Sequence, residues 1–246
     1  MKKIGDKIRE FFFSKGYTCD ACDGEIFDYP THRLCKTCEE KMWANEGKTC
    51  IKCGRNTRAD GVCLTCKSHL PHFTKGFSPF VYRGESAALI NRVKNGNPVL
   101  AAYFGEQMAA YFLRSKEGAE GNFLILPVPL TERRKRERGY NQAEELAYFL
   151  RKTLRGAGVK AEYRADVLQK RKDTPPQKEM KIGERAKNVE GAYHVHLRTI
   201  CRGKTILLVD DIMTTGATGS ECAARLLAAG AKKVYFLCAA SLPEQR

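Results

Sequence analysis

Two kinds of apolar pattern alternate along this chain from residue 77 to its end. Short strand-like segments stand at 77–82, 123–128, 165–168, 192–197, 205–209 and 233–240, and 123–128 is continuously apolar. Runs of this length predict strands, and the uninterrupted ones predict strands covered on both faces. Between them apolar residues recur at helical spacing: Ala88, Leu89 and Val93 over 85–94; Leu100, Phe104, Met108, Tyr111 and Phe112 over 99–113; Ala143, Leu146, Ala147 and Leu150 over 141–154. A further helix over 216–229 ends at Gly230, placed as a C′ residue. Strands alternating with helices predict an α/β domain with a mostly parallel sheet, whose ligands sit beyond the strand carboxyl ends. The stretch 131–138 reads as a basic loop. The stretch 170–187, polar, basic and broken by Pro175 and Pro176, reads as a long mobile loop of the kind that is functional or disordered.

The N-terminal part follows neither pattern. Eight of the 11 cysteines come as four CxxC pairs within 48 residues: Cys19 and Cys22, Cys35 and Cys38, Cys50 and Cys53, Cys63 and Cys66. A CxxC turn lets two thiolates share one metal, and two such turns complete a tetrahedron, so eight ligands imply about two structural zinc ions. Sequential and interleaved ligation both satisfy that count. His32, His69 and His72 are unnecessary as ligands. No βαβ pattern surrounds these pairs, which weighs against a redox motif. The region has too few apolar residues for its own core, so metal is expected to supply its folding energy. These features divide the chain at residue 72: 1–72 as an N-terminal helix and double zinc ribbon, 73–246 as the α/β domain. Cys201, Cys222 and Cys238 stand alone and are expected to be ordinary buried residues.

A length of 246 residues suits one good-sized domain plus a small one, and 43% hydrophobic residues are enough for a packed core. The chain contains no apolar run of the roughly 20 residues that span a bilayer. The apolar block 11–13 is too short for a signal peptide, which favours a cytoplasmic protein. The N-terminal segment then either docks on its own domain or lies peripherally at the inner membrane face.

Charge adds a partner class. The formal net charge is +15, and residues 131–187 hold 17 Lys or Arg against 9 Asp or Glu, an excess of 8. One segment thus carries over half the excess, a distribution suited to polyanions such as nucleic acid or substrates with several phosphates. Tyr140 and Tyr148 lie within it, placed either to stack on a single strand or to fill core.

The most informative stretch is 206–218, ILLVDDIMTTGAT. Four apolar residues carry the chain out of the core, Asp210 and Asp211 stand at the strand end, and Thr214, Thr215, Gly216, Ala217 and Thr218 precede a helix. Small residues let backbone N–H groups approach an anion, hydroxyls add donors, and the helix N-terminus adds a positive dipole end. Two carboxylates beside an anion site would repel it unless they serve another group, and a ribose diol, with or without Mg²⁺, is such a group. A Walker P-loop does not fit, because Gly203-Lys204-Thr205 precedes the strand instead of following it.

This run resembles the PRPP-binding motif of type I phosphoribosyltransferases, where PRPP is phosphoribosyl pyrophosphate. Pro127-Val128-Pro129-Leu130, the segment Arg138-Gly139-Tyr140-Asn141-Gln142 followed by Leu146-Ala147, the spaced set Arg171, Thr174, Gln177, Arg185, Asn188 and Gly191, and the cysteine-rich N-terminus narrow the resemblance to the ComF family. It implies a type I phosphoribosyltransferase-like fold and PRPP or a phosphoribosyl nucleotide as ligand. Asp210 and Asp211 would face the ribose hydroxyls, 214–218 the 5-phosphate, and Val128, Pro129 and Leu130 the pyrophosphate, with Mg²⁺ bound alongside. Arg133, Arg138 and Arg171 are the catalytic candidates, because the reaction calls for charge neutralisation more than for a base. The 170–187 loop would be the lid. The resemblance further implies a role in DNA uptake during natural transformation, with single-stranded DNA and a DNA-uptake helicase as partners. A phosphoribosyltransferase (a pentosyl-transferring glycosyltransferase) of nucleotide metabolism or salvage with no DNA role is the alternative.

Overall fold

The structure is a computed structural model that describes residues 17–26, 33–119, 121–172 and 189–244. Its centre is strand β7, Thr205–Met213, in which Ile206, Leu207, Leu208 and Val209 are fully buried. Parallel neighbours lie on both sides: β3, Asn122–Pro127, and β8, Lys233–Ser241. The sheet continues through β4, Lys160–Tyr163, on one side. On the other, β8 pairs with the short strands β1, Lys75–Phe77, and β2, Phe80–Val81. Every pairing in this sheet is parallel, as the apolar runs predicted.

Strand alternation divides the core into two apolar clusters, one on each face. Leu207, Val209, Phe123, Ile125 and Leu237 pack with helices α3, Gly84–Lys94, α4, Leu100–Leu113, and α7, Gln142–Gly156. Ile206, Leu208, Leu124, Leu126 and Phe236 face α9, Ala217–Ala228, together with Cys201, Cys222 and Cys238, which are buried as expected. Burial of one such Leu or Ile contributes about 1.5–3 kcal/mol. Helices α4 and α7 cross at Gly105, where an added Cβ would come within 2.6 Å of Phe149 Cβ.

The cysteine region does not stand apart. Cys19, Ile26, Leu34 and Cys38 belong to the first apolar cluster, and Cys50, Cys53, Cys63 and Cys66 to the second. Its two short helices, α1, Lys36–Glu40, and α2, Leu64–Ser68, each begin immediately after a cysteine. The predicted N-terminal helix lies outside the described residues, as does 173–188, which is most of the predicted lid.

Several expectations need correction. The basic stretch 131–138 is not a loop but helix α6, Glu132–Arg138. Thr131 caps it by accepting from Arg134 N at 3.4 Å, and Gly139, at φ 78°, closes it in the left-handed region. Glu132 sits in its first turn and Lys135, Arg136 and Arg138 in its last, where the helix dipole favours those signs. The strand expected at 165–168 is a bend between two strands, of which only Leu168 enters one. β4 ends at Tyr163, and β5, Leu168–Lys170, pairs antiparallel with β6, Tyr193–Val195, outside the main sheet. The 77–82 run is broken at Ser78 and Pro79 into β1 and β2. Strand β7 runs past Val209 through both aspartates to Met213, which pairs with Ser241. Two further short helices were not anticipated: α5, Lys116–Ala119, and α8, Arg198–Cys201.

Candidate functional site at the carboxyl end of the sheet

Parallel pairing brings the ends of β3, β7 and β8 to one edge, with Pro127 opposite Val209 and Val209 opposite Leu237. The turn at 128–130 and the loop at 214–218 therefore open on the same side. Val128 N donates to Val209 O at 2.8 Å, so the Pro-Val-Pro turn is fixed to the last apolar residue before the aspartates. Asn141 holds it from the other direction. Its Nδ2 donates to Val128 O at 3.1 Å, while its Oδ1 caps α7 by accepting from Ala143 N at 3.0 Å.

Backbone conformation sets the shape of the 214–218 loop. Gly216 has φ 86°, a value that side-chain-bearing residues rarely adopt, and it stands immediately before α9. Thr215 Oγ1 accepts from Ala217 N at 3.3 Å, and Ser220 N reaches back to Gly216 O at 2.8 Å to start the helix. Helix α9 has 12 residues, enough to direct a dipole at this loop.

Asp210 and Asp211 lie in β7 itself, so their side chains leave on opposite faces. Asp211 turns toward the α3 and α7 face. Its Oδ2 accepts from Gln142 Nε2 at 3.4 Å and lies 3.5 Å from Lys94 Nζ. Its Oδ1 accepts from Ile212 N at 2.8 Å. Asp210 turns toward α9 and β6, among Tyr193, Cys222 and Cys238, and accepts from Asp211 N at 2.9 Å. Burial first, and the adjacent Asp211 charge second, push the Asp210 carboxyl well above the usual carboxylate range. A carboxylate in that state favours a hydroxyl donor or a cation as partner.

The arginine candidates separate. Arg138 donates through NH1 to Gln142 Oε1 at 3.1 Å, so Gln142 bridges Arg138 and Asp211. Arg133 pairs with Glu137 at 3.1 Å on the exposed face of α6. Arg171 follows β5, with its backbone N bonded to Ala192 O at 2.9 Å and its side chain exposed. Thr174, Gln177, Arg185 and Asn188 lie outside the described residues. Tyr148 is buried beside Phe149 as core, while Tyr140 is half-buried with its hydroxyl bonded to Val93 O near the end of α3.

Lys94 and Tyr193 are site residues that the sequence did not single out. Tyr193 is buried, with a side-chain hydrogen bond to Thr218 and with Asp210 and Arg134 nearby. The only signal for Lys94 is its position, the last residue of a helix before an Asn-Gly break. A cleft of about 540 Å³ opens beside the loop, lined by His69, His72, Val189, Thr215, Gly216 and Ser220 among others. Asp210 and Asp211 are not in its walls.

The cysteines gather in sequence order, not interleaved. Cys19, Cys22, Cys35 and Cys38 form one group and Cys50, Cys53, Cys63 and Cys66 another, each with all Sγ atoms within 4.8 Å of one another. Sulfurs at about 2.3 Å from a tetrahedral zinc are about 3.8 Å apart. Cys22 and Cys35 Sγ are 3.8 Å apart, and Cys53 and Cys63 Sγ 3.7 Å. Backbone N–H groups point at the sulfurs, from Cys35 to Cys19 Sγ at 3.2 Å and from Cys63 to Cys50 Sγ at 3.3 Å. Both groups fit structural zinc in geometry and in donor type.

Residues 136–246 match the phosphoribosyl transferase domain family. Over 208 residues, 82% of this chain and 80% of the relative, the sequence is 26% identical to competence protein ComFC of Bacillus subtilis (strain 168). It is also 26% identical over 223 residues to DNA utilization protein YhgH of Escherichia coli (strain K12), covering 83% of this chain and 95% of that one. Competence protein ComFC of Streptococcus pneumoniae is 27% identical over 206 residues, 82% of this chain and 84% of the relative. The fold is thus type I phosphoribosyltransferase-like, with two four-cysteine clusters in the N-terminal region.

Proposed function

We propose that this chain, ComF-like over most of its length and carrying a phosphoribosyl transferase domain, binds PRPP or a phosphoribosyl nucleotide and handles single-stranded DNA during uptake. The observation that carries the ligand assignment is the convergence at one sheet edge of the Gly216 loop, the 128–130 turn and the Asp210–Asp211 pair. In this reading 214–218 holds the 5-phosphate by backbone N–H groups and hydroxyls, the 128–130 turn holds the pyrophosphate, and Asp210 accepts from the ribose hydroxyls. Asp211, held by Lys94 and Gln142, keeps the end of β7 in register with α7. Mg²⁺ bound with PRPP would neutralise pyrophosphate charge, and Asp210 is the carboxylate placed to share it.

The DNA role rests on the names of the relatives and on the basic middle segment. The charge on α6 supports it, since that helix presents Lys and Arg from a rigid element close to the site. Residues 1–72 form the metal-bearing module in this reading and 73–246 the phosphoribosyl domain.

The test has two parts. Calorimetric titration with PRPP is expected to show binding that Asp210→Asn combined with Asp211→Asn abolishes, at unchanged zinc content. Undiminished affinity in that double variant would overturn the site assignment. Pyrophosphate release from PRPP, measured with and without nucleobases and single-stranded DNA, then distinguishes a binding site from a transferase of nucleotide metabolism.

A further inference from the structure

We propose that Arg55 is a positioning residue through which the second four-cysteine centre holds the 214–218 loop in shape. The proposal rests on reading that loop as the phosphate site. Arg55 belongs to the cysteine region and is buried, 3% exposed. Its Nε donates to Cys53 Sγ at 3.2 Å. Its NH2 donates to Thr214 O, the first carbonyl of the loop, at 2.8 Å, and its NH1 reaches Thr65 Oγ1 at 3.5 Å. One guanidinium therefore spans a metal-ligating sulfur and the loop backbone. Its fixed fork geometry makes the two contacts rigid with respect to each other.

The consequence for the loop follows from peptide geometry. A trans peptide plane points its C=O and N–H in opposite directions. With Thr214 C=O held toward Arg55, Thr215 N–H must face away from the metal centre. That bond sets the first peptide plane of the turn that ends in the left-handed Gly216. Beyond the loop, in the first turn of α9, Ser220 Oγ accepts from His72 N at 3.1 Å, so the cysteine region also holds the start of that helix.

The centre is itself immobilised on the sheet, so it serves as a fixed support. Gly76 N in β1 donates to Lys52 O at 2.8 Å. An added Cβ on Gly76 would fall 2.4 Å from Cys53 O, and one on Gly54 would fall 2.2 Å from Gly76 O, so the two backbones touch. Asn45 Nδ2 donates to both Gly54 O at 2.8 Å and Ser78 O at 2.9 Å. A thiolate on zinc keeps its negative charge and thus its hold on Arg55. Groups that bond to metal ligands orient the surroundings as well as the metal.

The experiment uses the zinc-loaded full chain and the variants Arg55→Gln and Arg55→Lys, with zinc content, amide hydrogen exchange and PRPP affinity measured on each. Zinc is expected to stay at two per chain in both variants. In Arg55→Gln the amides of 214–218 are expected to exchange faster while those of 222–226 in α9 do not change, and PRPP affinity to fall by about 10–100-fold. Arg55→Lys, which keeps the charge and loses the fork, is expected to fall between. Unchanged loop exchange in zinc-loaded Arg55→Gln overturns the proposal, as does a rise spread evenly through α9. If Arg55→Gln does not fold, the same comparison in Arg55→Lys decides, and zinc loss in both variants assigns Arg55 to the metal site instead. If the unaltered protein does not bind PRPP, the phosphate-loop reading fails, and the exchange data still decide whether Arg55 shapes the loop.

Discussion

Lys94 Nζ lies 3.5 Å from Asp211 Oδ2, joining the last residue of α3 to the end of β7. The Asp211 side chain is 7% exposed and that of Lys94 22%. Removing the ammonium leaves a buried carboxylate with only neutral donors. Lys94→Met is expected to destabilise the fold by about 1–3 kcal/mol. Lys94→Met combined with Asp211→Asn should lose less than the sum of the two single changes, because the surviving partner is then neutral. Urea unfolding of the four proteins in a double-mutant cycle measures the coupling, and additive losses would show that the pair contributes nothing.

Asp210 calls for a pH experiment with a definite sign. Its carboxyl titrates well above 3.8 in the folded chain, through burial and then the Asp211 charge. The folded state therefore binds more protons than the unfolded state between those two pKa values. The stability that Asp210 contributes is fully present below the unfolded pKa and is lost as pH rises through the folded one. The ligand-free protein is expected to lose stability relative to Asp210→Asn as pH is raised above the ordinary carboxylate range. Parallel stability–pH curves for the two proteins would mean that Asp210 ionises as it does in the unfolded chain.

The Gly76–Cys53 contact predicts a substitution effect outside the loop. Gly76→Ala places a Cβ 2.4 Å from a backbone oxygen. It is expected to cost about 1–3 kcal/mol and to speed zinc loss from the second centre to a chelator, leaving the first centre unaffected. Gly156→Ala, in open space at the end of α7, is the control and should be neutral or slightly stabilising. Equal zinc release from both centres in Gly76→Ala would show that the contact does not secure the second one.

Single-stranded DNA affinity is expected to fall steeply with salt, in proportion to the number of phosphates neutralised. Charge reversal at Arg133 and Arg136 on α6 should reduce the slope of log affinity against log salt by about one for each phosphate contact removed. Fluorescence anisotropy with an unstructured oligonucleotide measures it. Binding that is absent or indifferent to salt sinks the DNA role.

The parts of the fold legible beforehand are those in which burial decides the residues. Ile206 to Val209 must be apolar because sheet neighbours and helices enclose them, and the CxxC spacing is the one that tetrahedral metal coordination calls for. Strand β4 was missed because it lies at the sheet edge with only Ala161 buried, so Lys160 and Glu162 hide its pattern. Helix α6 was missed because it buries no residue and so has no apolar periodicity. Its only marks are the Thr131 cap and Gly139, which charge obscured. The 214–218 loop was legible as the break between strand and helix, marked by Gly216. Lys94 and Tyr193 reach the site through tertiary packing, which leaves little local mark on their own segments.

Arg55 and Thr214 are 159 residues apart in the chain, and Leu64 N takes its acceptor, Glu244 Oε1, from 180 residues away. Synthesis therefore delivers the second cysteine group long before the surface on which it docks. Zinc can close around Cys50, Cys53, Cys63 and Cys66 while the nascent chain still lacks β7, α9 and β8. The contacts of Arg55 with Thr214 and of Leu64 with Glu244 then form only once those later segments have been made.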